Sequence, residues 1–210
     1  MKNLLIIGAR GFGREIYNLA LQCPGYKVEY QIKGFLDDKK NALNDFTCYP
    51  PIVNSVEDYV VCDNDVFVCA LGDIQYKKKY IQIIKDKGGD FITLIHPSAN
   101  IHIDSKIGVG SIVLQNATLG SGSIVGDFAL IQVSTIIGHD VKVGNYSRID
   151  CHVVCTGGAI IEDEVTIYTS AVINQNVRVE KGACVGAVSF VLRRVKEYTT
   201  VHGNPAVRLN

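Results

Sequence analysis

The hydrophobic pattern of this chain changes period near residue 94. From Ile95 to Lys196, apolar residues recur every six positions through seventeen consecutive hexads. The first positions run from Ile95, Ile101 and Ile107 through Leu119, Ile137 and Ile173 to Val191, and all are branched aliphatics except Cys155. The fifth positions, such as Ala117, Ser123, Ala129, Ser147 and Ala183, are all small or β-branched. A helix repeats near 3.6 residues and a hairpin meander needs longer strands with turn clusters, so a period of six predicts neither. It predicts a solenoid of short strands, in which three hexads close one coil of a three-sided prism and residues 18 apart stack. First positions then point inward, and small fifth positions mark the bends. Gly108, Gly120, Gly126, Gly138, Gly144 and Gly186 fall at the second position, which suits corners of unusual φ.

Before the hexads the spacing is different. Leu4 to Ile7 is a short apolar run ending at Gly8, and Phe12 to Leu21 has helical spacing until Pro24-Gly25 stops it. Val28 to Leu36 predicts a second strand leading to Asp37-Asp38, and Val66 to Ala70 a buried third. Ser55 is placed to cap a short helix through Val60. Asp73 to Lys87 predicts a longer helix closed by Gly88-Gly89, after which Phe91 to Ile95 enters the prism. Strands alternating with helices imply a small Rossmann-like parallel sheet with βαβ connections. The expected organisation is an α/β domain over residues 1–93, a prism over 94–196 and a C-terminal tail over 197–210.

Composition narrows the classes of partner. Lys plus Arg and Asp plus Glu each total 21, and no basic stripe of the kind nucleic acid requires is visible. Seven scattered cysteines without a CxxC pair suit free thiols in a reducing cytoplasm. The apolar stretch from Leu4 is too short for a signal peptide, and no window approaches membrane-spanning length. A soluble cytoplasmic protein, bound to neither membrane nor nucleic acid, is expected.

Two segments carry candidate chemistry. The turn Gly8-Ala9-Arg10-Gly11-Phe12-Gly13 lies between a strand and a helix, where N-terminal amides attract an anion. Its spacing is GxxGxG, and the glycines serve equally well for tight packing of strand on helix. Asp37-Asp38 begins 29 residues after Gly8, later than the ribose-binding acid of a dinucleotide fingerprint. A nucleotide sugar or other phosphorylated ligand is therefore favoured over NAD, with Gly8, Arg10, Gly11, Gly13, Asp37 and Asp38 as candidate contacts. Arg10 is either a diphosphate partner or a solvated turn residue. In the prism, Ile137-Gly138-His139-Asp140 places an imidazole beside a carboxylate that could orient it as a general base. Adjacent residues in a flat strand point to opposite faces, so the pair needs a local bend, which Gly138 permits. Otherwise both side chains simply meet water.

The seventeen hexads resemble those of the hexapeptide-repeat transferases, whose fold is a left-handed parallel β-helix. Gly138-His139-Asp140 followed by Val143-Gly144 resembles the active-site segment of bacterial sugar acetyltransferases, a group that includes UDP-4-amino-sugar N-acetyltransferases and the sialic-acid O-acetyltransferase type. Ile6 to Glu15, Gly34 to Asp38, Ile95-His96-Pro97, Val185-Gly186-Ala187 and Gly203-Asn204-Pro205-Ala206 extend the likeness over nearly the whole chain. The resemblance implies that His139 accepts a proton from an acceptor amine as it attacks acetyl-CoA directly, and that Asp140 holds the ring. Gly157, 18 residues on, would offer its N–H to the acetyl carbonyl. Gly157, Gly158 and Thr169 would line the pantetheine arm of the coenzyme, with Ala187, Val188 and Pro205 nearer its nucleotide. No enzyme nucleophile is implied, so Cys151 and Cys155 are expected to pack.

The implied reaction is acetyl transfer from acetyl-CoA to a nucleotide-linked amino sugar in a surface-glycan pathway. The alternatives are O-acetylation of a sugar, or a non-catalytic nucleotide-binding trimer. No metal is expected, because no two histidines are 18 apart and a carbonic-anhydrase-like zinc site needs a histidine cluster. The family also implies a homotrimer with sites between prisms, and Leu114, Phe128, Leu130, Tyr146 and Tyr168 are candidates for exposed interface residues. The chain departs from the family pattern at Phe12, Gln132, Arg148, Glu162 and Tyr168, which bears on the acceptor more than on the reaction.

Overall fold

A computed structural model describes residues 1–209. The chain forms two compact units, Met1–Leu94 and a second from Ile95 onward.

The first unit is built from β1 (Lys2–Ile7), α1 (Gly11–Gln22), β2 (Tyr30–Leu36), β3 (Ile52–Asn54), β4 (Asp65–Cys69), α2 (Ile74–Asp86) and β5 (Asp90–Phe91). The strands form one parallel sheet in the order β3-β2-β1-β4-β5. Leu4 to Ile7 in the central strand are fully buried, as a continuous apolar run covered on both faces requires. Helix α1 turns Ile16, Leu19 and Ala20 inward. Asp73 caps α2 by accepting hydrogen bonds from the amides of Gln75 and Tyr76, both at 2.9 Å.

Three local expectations change. β2 begins at Tyr30, because Val28 lies in the preceding turn and is exposed. Ser55 closes a single turn in place of a short helix: its Oγ accepts from the Asp58 amide at 3.0 Å. Lys87 Nζ clasps that turn by donating to the carbonyls of Val56, Glu57 and Tyr59. Asp90–Phe91 completes the first sheet beside β4 before the prism begins. A part-buried network ties β2 to the start of β4. Lys33 Nζ donates to Tyr59 Oη at 2.6 Å and to Asp65 Oδ1 at 2.9 Å, while Tyr59 donates to Asp65 Oδ2 at 2.6 Å.

The second unit is a left-handed parallel β-helix. Seventeen two-residue strands, from Leu94–Ile95 to Phe190–Val191, form three parallel sheets in steps of 18, as in Leu119↔Ile137↔Cys155↔Ile173↔Val191. First and fifth positions both face inward, so Leu119, Ile137, Val141, Val153 and Ile173 are fully buried. Inward hydroxyls at fifth positions meet backbone: Ser111 donates to the Gly126 carbonyl at 2.7 Å, and Ser147 to that of Glu162 at 2.7 Å. These bonds remove the cost of burying a hydroxyl.

The left-handed residue of each corner is the fourth of the hexad. Gly110, Asn116, Gly122, Phe128, Ser134, Asp140 and onward to Val188 have φ between 56° and 70° in unbroken six-residue steps. The second-position glycines have another cause. A Cβ on Gly144 would lie 2.5 Å from the Asp163 amide nitrogen, one coil on, so these glycines let neighbouring coils approach. The last step also departs from regularity. After Val191 the register advances by 16 residues, pairing Val179 with Val195 and Cys184 with Thr200. Thr200–Gly203 and Ala206–Arg208 then extend one prism sheet as a hairpin.

Of the apolar residues expected at the surface, Leu114, Phe128 and Leu130 are buried within the chain. Phe128 stacks on Tyr146 at 5.3 Å and covers Gly110. Leu130 lies in register with buried Ile112. None of the seven cysteines forms a disulfide, and burial pushes the Cys155 thiol up to about 12, where it is inert. Among the described residues, no helix is long and apolar enough to cross a membrane.

Candidate active site

The strand order places the crevice of the first unit. β1 is flanked by β2 on one side and β4 on the other, so the chain reverses direction of winding there, and ligands bind at such a point beyond the strand ends. A cavity of about 510 Å³ occupies this position, walled by the turns after all three strands: Gly8 and Arg10, Asp37 and Asp38, and Leu71 to Asp73. Phe12, Tyr76 and Tyr80 supply aromatic walls. By helix geometry the amides of Gly11, Phe12 and Gly13 have no partner within α1, and the first turn holds no acidic residue. That end of the cavity favours an anion.

The two readings of the glycine turn divide between its members. A Cβ on Gly13 would fall 1.9 Å from the Gly8 carbonyl oxygen, and one on Gly8, at φ +97°, would meet Leu71 and Ala70. Both glycines therefore serve close packing. Gly11 has open space around it and does not wall the cavity. Asp37 is buried, with one carboxylate oxygen accepting from the Ala9 amide at 2.8 Å and the other from the Lys39 amide at 2.9 Å. It braces the turn that presents Arg10. Exposed Asp38 accepts from Tyr80 Oη at 2.5 Å. Burial and this carboxylate raise the Tyr80 phenol well above its ordinary range. Asp73, Tyr76 and Tyr80 were not expected in the site, because only the strand order reveals that the loop after β4 faces the same crevice.

In the second unit His139 and Asp140 do pair. His139 Nδ1 lies 2.8 Å from Asp140 Oδ2. The necessary bend is at Asp140 itself, whose φ is +58°, and not at Gly138. Beneath the ring lies Gly157, where a Cβ would stand 2.3 Å from His139 Nε2. On the other side a Cβ on Gly122 would stand 2.7 Å from Asp140 Oδ1. Two bare corners thus seat the pair, the side chains remain 64% and 73% exposed, and Nε2 makes no hydrogen bond among the described residues. Gly158 donates its N–H to the His139 carbonyl at 2.9 Å.

Backbone amides distinguish this corner. On another prism edge the amides of Val109, Asp127 and Asn145 are each taken by an Asp or Asn side chain one coil on, at 2.7–2.9 Å. The Gly157 amide has no such partner among the described residues. Ser121, stacked one coil before His139, holds His102 Nδ1 at 3.0 Å. This second polar pair beside the first is predictable only from the stacking distance.

Thr169, Ala187 and Val188 lie on a different corner, where the Val188 amide donates to the Thr169 carbonyl at 2.9 Å. Pro205 sits in the turn of the hairpin that continues that sheet. One chain therefore does not bring these residues to His139. Val188 holds a left-handed φ of +57° and is 72% exposed, a strained posture for a β-branched residue. Arg148 is engaged by Asp150 through two bonds, at 2.6 and 2.9 Å, with its guanidinium 5.8 Å over the Tyr168 ring. Glu162 accepts from Arg178 at 2.6 Å, and that pairing holds its carboxyl below the ordinary value. Gln132 Oε1 lies 3.8 Å from Cys151 Sγ. Among the described residues, no three His, Cys, Asp or Glu side chains gather as a metal site would require.

Residues 3–84 match the PglD N-terminal domain. Over 145 residues the chain is 28% identical to the GDP-perosamine N-acetyltransferase of Escherichia coli O157:H7, covering 67% of this chain and 66% of that protein. It spans about two thirds or less of the curated relatives' own length. The acetyltransferase domain of PglB from Neisseria gonorrhoeae FA1090 superposes with a TM-score of 0.88 at 25% identity, with all of both chains covered. PerB from Caulobacter crescentus, solved with CoA and GDP-perosamine, shares the fold at a TM-score of 0.90 and 21% identity, over 100% of this chain and 98% of that one.

Proposed function

We propose that this chain, whose residues 3–84 match the PglD N-terminal domain and which is similar to a GDP-perosamine N-acetyltransferase and to the acetyltransferase domain of PglB, transfers an acetyl group from acetyl-CoA to the amine of a nucleotide-linked amino sugar. The observation that carries the reading is the exposed His139–Asp140 pair seated over Gly157, with Nε2 free of any hydrogen bond among the described residues. The acceptor nitrogen attacks the thioester carbon, forming the C–N bond while the C–S bond breaks and CoA leaves as its thiolate. His139 Nε2 takes the proton from nitrogen and returns it to the departing sulfur. Asp140 accepts a hydrogen bond from Nδ1–H, which fixes the tautomer and stabilises the imidazolium as it forms. The unpartnered Gly157 amide is available to the carbonyl oxygen as it gains charge. The cavity of the first unit suits the nucleotide diphosphate, with the start of α1 and Arg10 toward phosphate.

The coenzyme residues on a separate corner support a homotrimer in which a neighbouring prism brings its Thr169, Ala187 and Val188 to the His139 edge. One outer sheet face favours such packing: Ile136, Val154, Val172 and Phe190 stack in register along it, and Ile136 and Leu192 are each 45% exposed.

The test is thiol release from acetyl-CoA with a panel of UDP-, GDP- and dTDP-linked 4-amino sugars, alongside hydroxyl acceptors. Turnover with an amino sugar that disappears in His139→Ala supports the reading. Silence with every amine, or turnover untouched by His139→Ala, overturns it.

A further inference from the structure

On the prism edge that carries His139, a second pair of polar side chains plays no part in the scheme above. Asn100–Ile101, Thr118–Leu119 and Ile136–Ile137 lie in one parallel column. Ser121 therefore stands one coil before His139, and its carbonyl accepts from the Asp140 amide at 2.9 Å. His102 rises from the coil before that, and its Nδ1 lies 3.0 Å from Ser121 Oγ. This bond draws the imidazole alongside Ser121, so the pair sits one coil from the His139 ring.

The pair does nothing for the backbone. Elsewhere in the prism polar side chains cap main-chain amides: Ser98 Oγ accepts from the Asn116 amide at 3.0 Å, and Asp127 Oδ1 from that of Val109 at 2.9 Å. His102 and Ser121 are both exposed, and among the described residues their side chains hydrogen-bond only to each other. An exposed bond of this kind adds little stability. It does hold the ring in place while His102 Nε2 keeps its one hydrogen-bonding site unused. Whichever of the two residues carries the shared proton, Nε2 is a donor or an acceptor, and a hydroxyl can meet either.

The spacing identifies which hydroxyl. Neighbouring coils stand about 4.8 Å apart. On a pyranose built from bonds of about 1.5 Å, equatorial groups on carbons 4 and 2 lie about 5 Å apart, and those on carbons 4 and 3 only about 3 Å. A 4-amino sugar that meets His139 through its nitrogen and lies along this edge brings its carbon-2 substituent, and not that of carbon 3, to the level of His102 and Ser121.

We infer that His102, steadied by Ser121, reads the hydroxyl on carbon 2 of the acceptor sugar, an inference that rests on the amino-sugar reading above. Thiol release from acetyl-CoA by the full chain tests it, with a nucleotide-linked 4-amino sugar that bears the 2-hydroxyl and with its 2-deoxy analogue. Wild-type protein should favour the hydroxylated acceptor by about tenfold in kcat/KM, the scale of one hydrogen bond. His102→Ala should bring that ratio close to one through a higher KM for the hydroxylated acceptor, with the KM for acetyl-CoA unmoved. Ser121→Ala, which frees the ring to turn, and His102→Gln, which keeps a polar group, should each retain part of the ratio. A wild-type ratio near one overturns the assignment, as does a ratio that survives His102→Ala. An equal fall with both acceptors in His102→Ala overturns it too, since a merely structural role would give that result. Failure of the amino-sugar reading looks different: wild-type protein consumes no thioester with either acceptor, and this assignment falls with it.

Discussion

Gly157→Ala isolates the seat of His139 from the backbone amide beneath it. Alanine keeps the Gly157 N–H, and the backbone there is outside the left-handed region, so the fold accepts it. The added Cβ would stand 2.3 Å from Nε2, 2.5 Å from Cε1 and 3.0 Å from Cδ2 of His139. The ring must withdraw by about 1 Å, and a displacement of that size at a reacting group costs about 100-fold in rate. Stability should move by less than about 1 kcal/mol. Initial rates of thiol release, with thermal unfolding of the same preparations, separate the two effects. Gly158→Ala is the contrast. Its φ of +69° and the Asn176 Oδ1 at 2.3 Å from a new Cβ lower stability by roughly 1–2 kcal/mol. A folded Gly157→Ala protein with kcat near the wild-type value would refute the idea that this bare corner positions the imidazole.

Other expectations follow from single contacts. Asp65→Ala strands Lys33 Nζ, the Tyr59 hydroxyl and the Cys62 amide and should cost roughly 3 kcal/mol in denaturant melts at neutral pH. Burial pushes the Asp65 carboxyl up, but bonds from Tyr59, Cys62 and Lys33 outweigh it and hold it below the ordinary carboxylate range. Its contribution is therefore complete above about pH 4 and fades as pH falls through the lowered value. The gap between wild type and Asp65→Ala should close in acid, and a gap constant down to pH 2 would contradict this. Ser147→Ala removes the donor to the Glu162 carbonyl and the acceptor for the Val165 amide, and should lower stability by about 1–3 kcal/mol. Val188→Asn relieves a strained φ and should raise the melting temperature, by about 1 kcal/mol of stability, while weakening acetyl-CoA binding if that corner holds the coenzyme.

The prism was legible in the sequence because its core repeats: each inward Ile or Val recurs at a fixed interval, and the step of 18 places Gly157 under His139 before any coordinates are seen. Corner conformation was not legible from glycine content. Asp140, Tyr146, His152 and Glu164 occupy the left-handed position as readily as Gly110 does, since stacking on the next coil, and not residue type, sets φ there. The shortened last corner shows in the sequence only as the end of the hexads: a regular step of 18 from Val179 would bring Glu197 inward, and the step of 16 brings Val195 instead. In the first unit, β3 is three residues long and follows Pro50-Pro51, too little for alternation to register. Asp37 lines the crevice, but its partners are main-chain amides that no side-chain pattern encodes. The separation of His139 from Thr169 and Val188 follows from hexad arithmetic, since those residues differ by a number that is not a multiple of 18.

The uneven last corner sets a rule for how such a chain can change length. Adding or losing a residue in an early coil would rotate every later side chain to the wrong edge, so tolerated insertions there come in whole coils. Past Val191 the described residues align a hairpin, and two residues are dropped without disturbing anything upstream. Variation among relatives should therefore be free at this terminus and quantised before it, a pattern that a comparison of their lengths can expose.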